Sequence, residues 1–516
     1  MNELNERLLK ELPDFKNKGK QFLAKEITKS DFKKISGGLG VYAQRDGQSF
    51  IIRFRIPGGI ISQKELQFVY DMALKHNLDS IHLTTRQCIQ LNGLSLDSTC
   101  EVIEQGIHVG LYTRGSGGNY PRNVAMSPLT GLTDNEAFDV LPFAIAANLH
   151  LLKRIYTYKL PRKFKVSFSN NEEATVHSTV QDLGFIATWC DDKPFFKVYL
   201  GGSLGKDPRC SVVLPQLLSP NDVLYAIEGL IALFVKEGNY ENHHQARIRY
   251  IIEKLGEEQF IARYLEEFEQ AKHSQNLTLS FEPTYETYED WSATLIHPRI
   301  VKQKQKDLYS MYFQPIGGQL SLNLLNRINQ KLESMPHVQL RLTMTEGIYF
   351  INLDEQQALQ LLELTDSLGG ETALAQSVSC IGVPTCQIGI QNSQETLQSI
   401  VSYFNDKKYK KDILPRVYIS GCPNSCGVHQ IGSIGLMGKK KKSDGILTDA
   451  FTLYIGGSFN AHHTRLGTPI GDVTKDSVPE CLYNLALEVE KDGEDFDTWL
   501  NKNHDRLPSL LSTYLV

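Results

Sequence analysis

The feature that most limits what this 516-residue chain can fold into is that it repeats itself. Ile52-Arg-Phe-Arg-Ile-Pro-Gly-Gly-Ile-Ile-Ser62 is echoed by Met311-Tyr-Phe-Gln-Pro-Ile-Gly-Gly-Gln-Leu-Ser321, and His82-Leu-Thr84 by Arg341-Leu-Thr343. Gly59 to Thr84 and Gly318 to Thr343 span the same 25 residues. Further on, Leu160-Pro-Arg162 pairs with Leu414-Pro-Arg416, and Val198-Tyr-Leu-Gly-Gly-Ser203 with Leu453-Tyr-Ile-Gly-Gly-Ser458. Four matches in the same order favour duplication over chance recurrence of strand-and-turn words. A duplicated chain folds as two similar halves about a pseudo-twofold axis.

Within each half, β-branched runs such as Phe50 to Ile56 alternate with helical patterns such as Gln63 to Lys75. That alternation predicts an α/β fold of mixed sheets flanked by helices, in about three domains. Residues 1–35 read as a polar helical lead-in, and the stretch from Val478 as a closing helical segment. Connections fall at the glycine-rich Gly115 to Asn119 and at the polar segment around Pro283 to Asp290. The resulting division pairs residues 36–115 with 291–370 as two half-domains and sets 116–290 and 371–516 apart as larger domains.

Chemistry concentrates in the second half. Cys380-Ile-Gly-Val-Pro-Thr-Cys386 and Cys422-Pro-Asn-Ser-Cys426 bring together four of the nine cysteines, spaced C-x5-C and C-x3-C. Four clustered thiols beside Gly and Pro turns suit a soft metal centre in a reducing compartment better than a disulfide framework. Spacing alone leaves both tetrahedral zinc and an iron–sulfur cluster open, and favours the cluster, whose corners are spread around a larger inorganic core.

C-x5-C followed by G-C-P-N-x-C-G resembles the signature of the sulfite and nitrite reductase haemoproteins, and the resemblance runs over most of the chain. It implies a duplicated architecture in which Cys380, Cys386, Cys422 and Cys426 hold a [4Fe–4S] cluster. Cys426 would also bridge to the iron of sirohaem, with Asn424 and Gly427 shaping the turn around it.

The matching positions of the first half are basic. Strand alternation places Arg53 and Arg55 on one face, opposite Ile52, Phe54 and Ile56, and gives Lys163 and Lys165 a common face. A half-buried strand carrying such cations needs a counter-charge, which a bound anion would supply; taken singly, each basic pair also reads as a solvated face. The resemblance assigns Arg55, Arg122, Lys163 and Lys165 to the substrate side of sirohaem, and Arg86 and Arg162 to its carboxylates. Lys165 stands where plant-type nitrite reductases usually have Asn, which favours sulfite over nitrite.

The function implied is the six-electron reduction of sulfite to sulfide; nitrite reduction to ammonia is the alternative. A precorrin-modifying oxygenase of the same superfamily and a zinc-stabilised scaffold explain the basic residues less well. No G-x-G-x-x-G opens a strand–helix unit, so an external donor such as ferredoxin or a flavodoxin-like protein is expected. Lys439-Lys-Lys-Lys442 reads either as a solvated turn or as a docking patch for that donor. A formal net charge of -5 gives no reason to expect nucleic acid. The first twenty residues lack a secretory pattern, and apolar runs such as Tyr225 to Val235 are too short to span a bilayer. A cytoplasmic monomer is the expectation.

Overall fold

The structure is a computed structural model describing residues 1–173, 176–283, 288, 290–443 and 446–516. The connection expected around Pro283 to Asp290 therefore lies partly outside the described residues, as does the Asp444-Gly445 that follows the lysine run.

Four five-stranded sheets are formed by the described residues, in two matching pairs. One small antiparallel sheet runs Val41–Ala43, Phe50–Arg55, Cys88–Leu94, Ser80–Leu83 and then Gln319–Ser321, a strand lent by the second half. Its counterpart runs Ile300–Lys302, Tyr309–Phe313, Ile348–Leu353, Gln339–Leu342 and then Ile60–Ile61, lent by the first half. The two halves thus exchange edge strands and share one apolar core, onto which the helix Asn2–Leu23 packs through Leu4, Leu8, Leu12 and Phe15.

Each larger sheet begins parallel and ends antiparallel. The first orders Ala125–Met126, Val166–Ser169, Leu183–Cys190, Lys193–Leu200 and Val212–Val213. The second repeats the pattern with Val378–Ser379, Val417–Ser420, Ile434–Ser443, Ile446–Ile455 and Thr468–Thr474. Each has its own apolar core.

Local sequence explains the elements that matter most. Ser62 caps Gln63–Lys75, and Glu65 reaches back in a capping box, while Leu66, Val69 and Ala73 face the core. Ser321 caps the equivalent helix Leu322–Glu333. Between strand and helix, Gly59 and Gly318 adopt φ of 77° and 70°. A side chain on Gly59 would lie 2.7 Å from the Leu342 carbonyl oxygen, and one on Gly318 2.4 Å from that of Leu83. Each glycine therefore lets one half approach the strand end of the other.

Two expectations need correction. The Leu-Pro-Arg words are not structural equivalents: Arg416 directly precedes Val417–Ser420, whereas Lys165 directly precedes Val166–Ser169. Lys165, and not Arg162, is the counterpart of Arg416. The lysine run is no turn either. Lys439 to Lys442 lie within Ile434–Ser443, paired with Leu447 to Ala450 of the next strand. Lys439 ion-pairs with Asp472 at 2.9 Å, Lys440 with Asp449, and Lys441 with Asp472 at 3.3 Å.

Candidate active site

Arg55 closes the strand Phe50–Arg55, which is buried on both faces and not half-buried: Ile52 and Phe54 are wholly inaccessible and Arg55 is only 2% exposed. Its guanidinium donates to the Pro121 carbonyl at 2.7 Å, the Arg122 carbonyl at 3.1 Å and Asn148 Oδ1 at 3.0 Å, leaving Nε without a partner. Arg122 donates to the carbonyls of Gly115 at 3.2 Å and Gly118 at 2.8 Å. The Gly115–Gly118 loop is thus the mooring of the first-half site. Arg86 donates to the Asn123 and Val166 carbonyls and to Gln181 Oε1. All three arginines are bonded to neutral acceptors. Burial pulls each of them down to about 10, so all remain charged at neutral pH.

Lys163 and Lys165 flank buried Phe164 in the extended lead-in to Val166–Ser169. Neither ammonium has a hydrogen-bond or ion-pair partner among the described residues. Burial, reinforced by Arg86 and Arg247, pulls Lys165 down to about 7; Asp182 and Cys426 pull the other way. Lys163 falls well below its ordinary value, through burial and then the charges of Lys165 and Arg247. Arg162 is lowered by burial and by Arg247.

The thiols hang on the second large sheet. Cys380 follows Val378–Ser379 and donates its N–H to the Ile419 carbonyl at 3.1 Å; Cys386 closes its loop by donating to the Gly382 carbonyl at 2.7 Å. Cys422 and Cys426 lie in the turn after Val417–Ser420, where Ser425 has φ of 53°. A side chain on Gly427 would sit 2.0 Å from the Ile419 carbonyl oxygen, so only glycine fits there. The Gly421 N–H points at Cys380 Sγ at 3.2 Å, and Asn424 Nδ2 at Cys422 Sγ at 3.4 Å. Such N–H donors suit sulfur carrying negative charge. Burial and the neighbouring Cys426 raise Cys380 to about 12 and raise Cys386 and Cys422 as well, so these sulfurs hold a proton unless a metal takes its place.

Both sets meet across the pseudo-twofold axis. Thr85 Oγ1 donates to the Cys426 carbonyl at 2.8 Å, and Gln430 exchanges two hydrogen bonds with the Gly205 backbone. Cys426 is close enough to act electrostatically on both Lys163 and Lys165. Buried cations without carboxylate partners match a polycarboxylate haem, and thiols served by N–H donors match an iron–sulfur cluster. The four cysteines would hold the cluster, and the arginines would face the haem.

Sequence reasoning missed the buried pair Asp182–Arg247, which stands behind the lysines. No local pattern marks it, because its partners are far apart in the chain. Burial, and then the charges of Arg162, Lys33 and Lys163, lower the pKa of nearby His243.

Residues 117–272 and 370–487 match the family described as the nitrite and sulphite reductase 4Fe-4S domain, and residues 42–105 its ferredoxin-like half domain. Site and fold thus define an oxidoreductase that carries a [4Fe–4S] cluster with sirohaem. The chain belongs to the nitrite and sulphite reductase family. Relatives include a ferredoxin–nitrite reductase of Synechococcus elongatus, 27% identical and covering 85% of this chain and 86% of that one. Another is sulfite reductase [ferredoxin] 1 of Mycolicibacterium paratuberculosis, 23% identical and covering 92% and 89%. The solved structure of the Mycobacterium tuberculosis NirA protein shares the fold, with a TM-score of 0.78 at 21% identity over 97% of this chain and 96% of that one. No helix among the described residues is long and apolar enough to cross a membrane.

Proposed function

We propose that the protein reduces sulfite to sulfide, drawing electrons from an external donor such as ferredoxin. The observation that carries this reading is the pair of unpartnered ammonium groups, Lys163 and Lys165, within electrostatic reach of Cys426. A doubly charged oxyanion gains more from a second cation than a singly charged one does. The same reading keeps the division at 36–115 with 291–370, 116–290 and 371–516.

When bound, the cluster and sirohaem would supply the electrons of the reduction one at a time. Cys380, Cys386, Cys422 and Cys426 would hold the cluster, Cys426 would serve the haem as well, and Asn424 would keep Cys422 oriented. Arg86 and Arg162 would neutralise haem carboxylates, Arg86 through its charge, since Nε and both Nη already donate to the protein. Arg122, Lys163 and Lys165 draw in the oxyanion and favour departure of its oxygen as water. Arg55, its Nη donors committed to carbonyls, contributes its charge and fixes the backbone of Arg122. Lys165, with a pKa near 7, gives and regains a proton without a large cost in either direction.

Replacing Lys165 by asparagine tests the substrate. Turnover of sulfite is expected to fall more than that of nitrite; equal losses would refute the charge argument. Nitrite is the second reading, favoured by the name of the Synechococcus elongatus relative. Donor docking near Lys439, Lys440, Lys441 and Lys442 predicts that changing all four to glutamine raises the apparent KM for ferredoxin. Activity with a small chemical reductant should stay intact, and an unchanged ferredoxin KM would remove the run from the docking surface.

A further inference from the structure

We infer that the buried pair Asp182–Arg247 positions Lys165 for oxyanion binding and sets the balance of charge around it. This rests on the reading of Arg122, Lys163 and Lys165 as an oxyanion site. Asp182 is completely inaccessible and stands just before the strand Leu183–Cys190. Its Oδ2 accepts the backbone N–H of Lys165 at 2.9 Å. The same carboxylate receives Arg247 in a fork, Nη2 to Oδ1 and to Oδ2 at 2.9 Å each, and Nε to Oδ1 at 3.2 Å.

Both ends of this strut are fixed. Arg247 opens the helix Ile248–Leu255, which is anchored in the core by Ile248, Ile251 and Ile252. The Asp182 carbonyl accepts the Gly201 N–H at 2.8 Å, and the preceding Gln181 side chain accepts from Arg86 at 3.1 Å. The dipeptide Gln181–Asp182 therefore fastens Arg86, Lys165 and Arg247 to one point of the sheet.

Pure scaffolding would not require opposite charges here. Lys165 is faced by Lys163, Arg86, Arg247, His177, Cys426 and Asp182, and Lys163 by Lys165, Arg247, Arg122, His243 and Cys426. Among these neighbours Asp182 is the one carboxylate. It favours the charged lysine, and Arg247 opposes it. Neutralising one member of the pair should therefore displace the lysine protonation equilibrium in one direction, and neutralising the other should displace it in the opposite direction.

The test is the pH dependence of sulfite and nitrite Kd, followed by the absorbance of the oxidised holoenzyme between pH 5.5 and 9. Wild type is compared with Asp182→Asn, Arg247→Gln and the double variant, each checked by thermal melting. Asp182→Asn is expected to bring the alkaline loss of binding about one pH unit lower, weakening binding at pH 8 by about tenfold. Arg247→Gln should move it upward, and the double variant, which leaves no unpaired buried charge, should return close to wild type. If a single variant fails to fold, the other single variant and Arg247→Lys carry the comparison, since Arg247→Lys keeps the charge and should leave the limb in place. Weakening at every pH without displacement would overturn the inference. Opposite displacements seen with nitrite in an enzyme that does not reduce sulfite would uphold it and overturn the sulfite reading.

Discussion

Replacing Cys422 by serine is expected to abolish turnover, by about a thousandfold or more, and to strip the cluster iron from a chain that still folds. Cys422 is 7% exposed, its Sγ receives Asn424 Nδ2, and its turn is held by a hydrogen bond from the Gly427 N–H to Ser420 Oγ at 3.0 Å. Serine fills the same space but is a poor ligand for iron. Iron should drop from the roughly five atoms of one cluster and one haem to about one or fewer, with acid-labile sulfide falling in parallel. Cys190→Ser serves as the control, because Cys190 is exposed at the start of the hairpin to Lys193 and far in sequence from the ligand loops. Full iron content in Cys422→Ser would remove Cys422 from the ligand set.

The second large effect is expected from Lys163→Met and Lys165→Met, each lowering sulfite turnover by about a hundredfold, equivalent to roughly 3 kcal/mol of lost electrostatic stabilisation. The pH dependence carries the sign. Lys165 is charged below about 7 and neutral above it, so oxyanion affinity is greatest in the protonated range and declines as pH rises through that value. A bound anion pulls the proton back, so binding above pH 7 should be accompanied by proton uptake, measurable by calorimetry in buffers of different ionisation enthalpy. Lys165→Met should abolish most of that uptake. Proton uptake equal to wild type in this variant would mean that another group carries the proton.

Much of the arrangement is legible in the sequence, for reasons that can be named. The helix Gln63–Lys75 announces itself because Ser62 and Glu65 form a capping box and its apolar residues recur at helical spacing. The repeat is visible because Gly59 and Gly318 must both adopt positive φ against the other half's backbone, which leaves little freedom for drift. Four cysteines in two short loops point to a metal centre without any knowledge of the fold.

Other features leave no trace in one dimension. Ile60–Ile61 joins the second half's sheet through two residues, too few to show a period. Arg55 looks like half of an exposed basic pair, yet its acceptors are the carbonyls of Pro121 and Arg122 and the side chain of Asn148, all remote in sequence. Asp182 and Arg247 are joined only by the fold. The lysine run conceals a strand because like charges mask alternation, while the neutralising Asp449 and Asp472 come from neighbouring strands. The Leu-Pro-Arg words align by letter but not by strand, since Lys165, and not Arg162, abuts its sheet as Arg416 does.

The most direct measurement of the central claim is the product formed by anaerobically purified holoenzyme given sulfite and nitrite separately, with the same reduced donor at neutral pH. Sulfide should appear from sulfite with the higher kcat/KM, and ammonia from nitrite more slowly. Rapid ammonia formation with no sulfide would contradict the assignment of Lys163 and Lys165 to a doubly charged substrate and make the chain a nitrite reductase.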